Sequence, residues 1–314
     1  MSAERPAPPD ELPRSAEFLL PGRIGADLAL GPARQRIMGI VNLTPDSFSD
    51  GGLFHDARGR CRPEKAVRAA LRLEQDGADV LDLGAESNRP GADPVAAETE
   101  LQRLIPVLEA LRPRTDLPIS IDTKKAEVAR IALEHGADWI NDVSALRHDP
   151  EMGSVVAASG ASVVLMHMRG SPKDMQEGPR YDDCLSEVKD HLGERAAHAE
   201  RLGIPSNRIL LDPGIGFGKR LVDNLALIRG LPELRSLGYP ICLGASRKSF
   251  LGMLLAGERA APPPAGRDAG TLAVLAFAHA AGVSVHRVHH VRYARDMLLV
   301  LDSIGAGRRG AGPG

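Results

Sequence analysis

The sequence has few aromatic residues, few cysteines, no long apolar run and almost no net charge. Aromatic residues make up 3% of the 314 residues, so a core must be built from Ala, Leu, Ile and Val. The three cysteines, Cys61, Cys184 and Cys242, form neither a CxxC pair nor a zinc-binding spacing, which is typical of a protein in a reducing compartment. A net charge of −2 provides no positive field for nucleic acid.

Membrane and export signals are also missing from the sequence. No apolar run approaches the roughly 20 residues that span a bilayer. Residues 1–15 contain prolines and charges but no apolar stretch, so they do not resemble a secretory signal. We therefore expect a cytoplasmic protein with no membrane partner.

What the sequence does contain is an alternation of short apolar runs and longer segments with helical spacing. The eight runs are apolar almost throughout, as parallel strands buried on both faces are. They lie at 36–42, 79–85, 118–122, 138–142, 162–167, 208–212, 240–246 and 284–289. Helical segments are predicted at 63–77, 95–112, 125–136, 150–159, 184–203, 221–235, 267–281 and 291–303.

Eight strand–helix units predict a single α/β domain, a (β/α)8 TIM barrel. The barrel is expected over residues 18–304, between a flexible N-terminal tail, 1–17, and a flexible C-terminal tail, 305–314. An open doubly wound sheet is the alternative fold.

Polar side chains end nearly every predicted strand, and the C-terminal end of the strands is where a TIM barrel carries its active site. One polar residue there often only caps the next loop, but so many at one mouth favour a binding site. The set comprises Asn42, Asp82, Glu86, Arg89, Asp122, Asn141 or Asp142, His167, Asp212, Ser246, Lys248, Arg287 and His289. The carboxylates and amides suit a flat heterocycle with N–H donors, and the basic residues suit an anion.

Two further motifs in the sequence have more than one interpretation. The stretch 214–219, GIGFGK, lacks the Walker A pattern, so we interpret it as a tight loop that lets Phe217 approach a ligand. His286 and His289 point to opposite faces of a strand. We therefore favour an anion-binding pair of Arg287 and His289 over a metal site.

The motif SRKS at 246–249 precedes a helical stretch, 250–256. Ser249 would then lie at the start of a helix, where free N–H groups and the helix dipole attract a carboxylate, and Lys248 would point into the mouth. A helix-capping serine beside two solvated bases explains this motif equally well.

Eight motifs, one at each strand end, resemble those of the dihydropteroate synthases over roughly residues 36–303. They are MGIVNLTPDSFSDGG (38–52), GAESNRPG (84–91), SIDT (120–123), INDV (140–143), LMHM (165–168), LDPGIGFGK (211–219), SRKS (246–249) and RVH (287–289). The resemblance implies a TIM barrel, usually a homodimer, that acts in folate synthesis and is a sulfonamide target. Such an enzyme joins (7,8-dihydropterin-6-yl)methyl diphosphate to p-aminobenzoate, with Mg²⁺ as cofactor, and releases pyrophosphate.

The resemblance also implies a role for each matching residue. The pterin diphosphate would be bound by Asn88, Asp122, Asn141, Asp212, Lys248, Arg287 and His289. The p-aminobenzoate would be bound by Phe48, Arg89, Pro90, Phe217 and Ser249. Asn42 would ligate Mg²⁺. Lys248 and Arg89 would act in catalysis, and Asp46, on a mobile loop, would stabilise a pterin cation when that loop closes.

Two positions depart from the family pattern. Asn88 replaces the threonine of E-S-T-R-P, and His290 replaces a frequent aspartate after R-x-H; we expect altered affinity rather than loss of activity.

Two alternative functions remain. A methyltetrahydrofolate methyltransferase would not need the SRKS and RVH motifs, and a catalytically silent pterin-binding barrel is favoured only by Asn88 and His290.

Overall fold

The computed structural model describes residues 18–20, 28–30, 34–44, 62–257 and 259–309. Its strands are β1 (Phe18–Leu20), β2 (Leu28–Leu30), β3 (Arg36–Asn42), β4 (Val80–Gly84), β5 (Ile119–Asp122), β6 (Trp139–Asp142), β7 (Ser162–Met166), β8 (Ile209–Asp212), β9 (Cys242–Leu243) and β10 (Val285–Val288). Its α-helices are α1 (Pro63–Gln75), α2 (Ala97–Leu111), α3 (Ala126–Glu134), α4 (Met152–Ser159), α5 (Cys184–Arg201), α6 (Leu221–Arg229), α7 (Leu231–Arg235), α8 (Ser249–Ala256), α9 (Asp268–Ala280) and α10 (Val291–Arg309).

Strands β3 to β10 form one parallel barrel. Neighbouring strands follow the order β8-β7-β6-β5-β4-β3-β10-β9, and the last gap is closed where β8 meets β9. There, Leu211 forms a parallel bridge with Ile241, and its backbone N–H donates to the Pro240 carbonyl at 3.0 Å. Because a doubly wound sheet would keep two open edges, this closure confirms the predicted TIM barrel.

A hairpin that the sequence did not predict lies at the N-terminal end of the barrel. Strands β1 and β2 pair antiparallel, and Leu30 is buried against residues at the starts of the barrel strands. We call this group the floor cluster: Leu30, Met38, Val80, Trp139, Val164, Leu210, Cys242 and Val285. Every member is apolar or weakly polar, as the filling of a TIM-barrel interior usually is.

The predicted helices are present, with two differences. The segment predicted at 221–235 is two helices, α6 and α7, because Pro232 in the first turn of α7 cannot continue the hydrogen bonding of the preceding helix. Helix α10 continues to Arg309, past residue 304, where the barrel was expected to end. In the part of the chain that the structure describes, no helix is both long and apolar enough to cross a bilayer.

Candidate active site

Four neighbouring strands place a residue side by side at the C-terminal end of the barrel, the last residue in β3, β4 and β5 and the last but one in β6. Asn42 is in register with Gly84, Gly84 with Asp122, and Asp122 with Asn141. Gly84 has no side chain, so the row has a gap between its neighbours. A Cβ at Gly84 would partly fill this gap, at 3.5 Å from the Asp122 Cβ and 3.8 Å from Asn42 Oδ1. The row therefore forms one oxygen-rich wall with an opening at its centre.

Arg287, on the strand next to β3, binds two carboxylates on β4 and β5. Its Nε donates to Asp82 Oδ2 at 2.7 Å and its Nη2 to Asp122 Oδ2 at 2.8 Å. Burial raises the pKa of Asp122 to about 7; Arg287 opposes this effect and Asp82 adds to it. Burial lowers the pKa of Arg287, but the two carboxylates outweigh it, so that pKa is raised. The guanidinium expected to bind diphosphate is thus held by two carboxylates, and its diphosphate role stays a prediction.

Asn88, the first departure from the family pattern, also contacts Asp122. Its Nδ2 donates to Asp122 Oδ1 at 3.0 Å. Its own Oδ1 is buried, with no hydrogen-bond partner among the described residues. This amide therefore contacts a carboxylate assigned to the pterin, and a ligand donor would satisfy its orphaned oxygen.

Asp212 and Lys248 influence each other electrostatically at the mouth. Asp212 Oδ1 accepts from the Gly214 backbone N–H at 2.7 Å. Burial raises the pKa of Asp212, opposed by that N–H and by Lys248. Burial lowers the pKa of Lys248 to about 7, opposed by Asp212. The Lys248 Nζ lies 3.7 Å from the centroid of the Phe217 ring, so an aromatic face, a cation and a carboxylate meet beside the end of β8.

The loop after β8 needs glycine because it passes close to the preceding strand. Gly214 has a φ of +66°, and a Cβ on it would lie 1.9 Å from the His167 carbonyl oxygen. Only glycine avoids both the strain and the collision. The loop can therefore fold tightly enough to bring Phe217 to the Lys248 ammonium.

Lys219 fixes the other end of this loop, a role that sequence reasoning missed. Its buried Nζ lies 2.9 Å from His167 Nδ1 and 3.0 Å from the Phe217 carbonyl oxygen. Burial lowers the pKa of His167 to about 2, so the ring is neutral and can accept from the ammonium. His167, proposed from its position at a strand end, thus supports the loop that carries Phe217.

Ser249 is the first residue of α8, as predicted, and it is exposed. The N-cap residue is Lys248, with no side-chain capping hydrogen bond. The helix-capping interpretation of Ser249 is therefore wrong, because the serine lies inside the first turn. Ser249 is exposed next to Lys248 at the N-terminal end of α8, and the N-terminal end of a helix attracts a carboxylate.

The histidines of the last strand separate to opposite faces, as expected from strand geometry. His289 Nδ1 lies 3.0 Å from Ser246 Oγ, and burial, followed by the nearby Arg247, lowers its pKa to about 3. His286 points outward, with Nε2 2.7 Å from Gln35 Oε1. His290 stacks on Tyr293, with ring centroids 3.7 Å apart. Across the described ranges, no three His, Cys, Asp or Glu side chains form a metal-binding cluster.

A buried ion network anchors the loop that carries Asn88, Arg89 and Pro90. Lys125 Nζ lies 2.6 Å from Glu86 and 2.7 Å from Glu100, and Lys124 Nζ lies 3.3 Å from Glu86. Sequence reasoning singled out Glu86 but not its partners. The signal for these partners was the pair of lysines that follows β5 after Thr123, since buried carboxylates need partners.

The remaining predicted residues, Asp46 and Phe48, lie in the segment 45–61, outside the described residues. Arg89 is half-buried and Pro90 exposed at the rim. Taken together, the fold and the mouth define a TIM-barrel enzyme site that can hold a flat, hydrogen-bonding ring beside an anion.

Comparisons with known proteins narrow this class. Residues 38–289 match the family described as "Pterin binding enzyme". The chain is 41% identical to the dihydropteroate synthase of Synechocystis, covering 94% of this chain and 99% of that protein. It is 41% identical to that of Escherichia coli K12, covering 88% and 93%.

Solved structures of dihydropteroate synthases are also similar to this chain. A Yersinia pestis dihydropteroate synthase in complex with a sulfonamide drug superposes with a TM-score of 0.83 at 38% identity, covering 92% of this chain and 99% of that one. A Xanthomonas albilineans dihydropteroate synthase with 4-aminobenzoic acid superposes with a TM-score of 0.79 at 46% identity, covering 89% and 96%. This chain belongs to the pterin-binding enzyme family.

Proposed function

We propose that the chain is a dihydropteroate synthase. It condenses (7,8-dihydropterin-6-yl)methyl diphosphate with p-aminobenzoate to give 7,8-dihydropteroate and pyrophosphate in folate synthesis. One observation carries the proposal: Lys248 and Ser249 follow each other at the start of α8, beside Asp212 and Phe217. A site for a polar ring thus adjoins a site for a small aromatic carboxylate.

The pterin ring fits the carboxylates and amides of the barrel mouth. Asp122 and Asn141 are buried neighbours on β5 and β6, and Asp212 is buried at the end of β8; all three offer acceptors to ring N–H and amino groups. Burial raises the pKa of both aspartates. Donors on a bound ring would stabilise the ionised forms and offset that cost. Lys248 would donate to a ring oxygen or nitrogen.

The p-aminobenzoate fits the rim beside α8. Its carboxylate would accept from Ser249 and the first N–H groups of the helix. Its ring would pack between Phe217 and Pro90, with Arg89 at the edge. This orientation points the amine toward the pterin side of the mouth, where the new bond must form.

The reaction exchanges one bond for another at the exocyclic CH₂ of the pterin. The C–O bond to the diphosphate breaks, and its electron pair leaves with pyrophosphate. The amine nitrogen forms the new C–N bond and releases a proton. An arylamine is largely neutral at pH 7, so the site needs no strong base. The residues contribute positioning and electrostatic stabilisation, with Arg287 and His289 supplying positive charge or donors to the leaving diphosphate.

We also propose that Mg²⁺ binds at Asn42. The side-chain oxygen of Asn42 borders the gap above Gly84, and oxygen is the ligand that this ion prefers. One protein oxygen suits an ion that takes its other ligands from substrate phosphates and water. When bound, the ion would neutralise charge on the diphosphate.

A homodimer is proposed on the apolar surface of α8, α9 and α10. The exposed large apolar side chains on these helices are Met253, Leu254, Leu255, Phe277, Tyr293, Leu299, Val300 and Ile304. A patch of this kind on a globular domain marks a contact surface. A monomer at micromolar concentration in sedimentation experiments would contradict the proposal.

We propose a cytoplasmic location, supported by the two buried, unpaired thiols of Cys184 and Cys242.

The function is tested by mixing the purified chain with dihydropterin methyl diphosphate, p-aminobenzoate and Mg²⁺. Pyrophosphate should be released in equal amount to dihydropteroate, and omitting p-aminobenzoate should abolish dihydropteroate formation. Tight pterin binding without pyrophosphate release would support a silent pterin-binding barrel instead. Methyl transfer from methyltetrahydrofolate would support the methyltransferase alternative.

A further inference from the structure

Arg247, the residue before Lys248, has a backbone conformation that arginine rarely adopts. Its φ is +58°, in the left-handed region that favours glycine. Lys248 returns to a φ of −63° and is the N-cap of α8. The direction of the Lys248 side chain and the start of the helix therefore depend on how the chain turns at Arg247.

Three groups at the start of α9 hold Arg247 in this conformation. Asp268 receives two hydrogen bonds from the guanidinium, from Nε at 2.7 Å and from Nη2 at 2.9 Å. The Arg247 backbone N–H donates to Thr271 Oγ1 at 3.1 Å. Arg267 Nη1 donates to the Arg247 carbonyl at 3.0 Å. Side chain, N–H and carbonyl of one residue are thus all fixed by a single short segment.

We infer that Asp268 is a positioning residue for the synthase reaction and acts through Arg247. A bidentate carboxylate–guanidinium pair fixes both distance and plane, and only 19% of the Asp268 side chain and 13% of that of Arg247 are exposed. If the pair is broken, the turn can relax toward negative φ, and both Lys248 and the open end of α8 move. The inference rests on the proposed function, since it assigns the turn to the site for pterin and p-aminobenzoate.

Asp268→Asn tests the inference directly. An asparagine can accept one of the two guanidinium hydrogen bonds but carries no charge. We expect the KM for p-aminobenzoate to rise at least fivefold and kcat to fall about tenfold, equivalent to about 1.4 kcal/mol. Asp296→Asn is the matched control, because it removes a carboxylate paired with Arg292 on the exposed surface of α10. Kinetic constants of Asp268→Asn within twofold of this control would overturn the inference.

A second pair of variants separates backbone conformation from side-chain loss. Arg247→Gly and Arg247→Ala both remove the guanidinium, but only glycine adopts a positive φ without penalty. We expect kcat/KM of the glycine variant to exceed that of the alanine variant at least fivefold. Equal values, or a more active alanine variant, would mean that the turn does not set the site.

Hydrogen exchange distinguishes failure of this inference from failure of the proposed function. Asp268→Asn should speed amide exchange in residues 246–252 of the folded protein, whereas Asp296→Asn should not. An inactive wild type with this faster exchange would refute the synthase and keep the positional role of Asp268 in the turn. If the wild type is active but Asp268→Asn leaves amide exchange in residues 246–252 unchanged, the inference about Asp268 is refuted and the proposed function is not.

Discussion

The two ends of the barrel are built from the same strands but differ in chemistry. On β8, Leu210 and Asp212 both point inward, because they are two residues apart. Leu210 belongs to the apolar floor cluster, whereas Asp212 is a buried carboxylate beside Lys248 at the mouth. A distance of two residues thus separates a position that stabilises the fold from one that carries charge.

The charged end is maintained at a cost in stability. Burial raises the pKa of Asp122 to about 7 and lowers that of Lys248 to about 7, so burial at the mouth disfavours the ionised form of both groups. A ligand with matching donors and acceptors relieves that penalty, and an apolar floor needs no such ligand. We therefore expect substitutions at the mouth to affect turnover more than stability, and substitutions in the floor cluster to affect stability more than turnover.

The largest expected effect is that of Lys248→Ala. Loss of the ammonium beside Asp212 should lower kcat/KM about 1,000-fold, equivalent to about 4 kcal/mol, while the melting temperature stays equal or rises. Steady-state kinetics and thermal unfolding measure the two quantities. Lys65→Ala, at an exposed position on α1, is the control. An activity of Lys248→Ala within tenfold of this control would remove the lysine from the mechanism.

Leu210→Ala should show the opposite pattern. Truncating a fully buried floor side chain should lower the free energy of unfolding by about 3 kcal/mol. The kinetic constants of the folded enzyme should stay within twofold of the wild type. Denaturant titration measures the first quantity. A loss below about 1 kcal/mol, or a changed KM, would show that floor and mouth are coupled.

Asp122→Asn should change how stability depends on pH. The carboxyl ionises near pH 4 in an unfolded chain but near pH 7 in the folded protein. Between these values the folded state binds more protons, so the wild type loses stability relative to the variant as pH rises through this window. Since one unit of pKa difference corresponds to about 1.4 kcal/mol, the difference should change by at least about 2 kcal/mol from pH 4 to pH 8. Urea unfolding measures this stability difference. A difference that does not change across this pH range would contradict the raised pKa of Asp122.

The smallest expected effect is that of Asn88→Thr, which restores the family residue. The threonine hydroxyl can still donate toward Asp122, so kcat/KM should stay within about tenfold, or about 1.4 kcal/mol. Varying the concentration of dihydropterin diphosphate would measure this change. A larger gain would mean that Asn88 weakens the native site through its pairing with Asp122.

Sequence alone predicted the barrel and its polar strand ends, because buried parallel strands are continuously apolar and end at one edge. It did not predict the supporting residues. Asp268 meets Arg247, and Lys219 meets His167, only after loops and helices fold back over the mouth. The sequence also gives no signal for the left-handed turn at Arg247, because the usual signal is a glycine and this position is an arginine. Strands β1 and β2 have three residues each, too few for a periodic pattern.

The role of the barrel mouth as the site of synthesis is tested most directly by comparing three proteins in one assay: the wild type, Leu210→Ala and Asp212→Asn. The quantity measured is the rate of dihydropteroate formation per folded molecule, with the folded fraction determined by circular dichroism. We predict equal rates for the wild type and Leu210→Ala and a loss of at least about 100-fold for Asp212→Asn. A rate for Asp212→Asn equal to that of the wild type would contradict the claim that the mouth of this barrel is the site of synthesis.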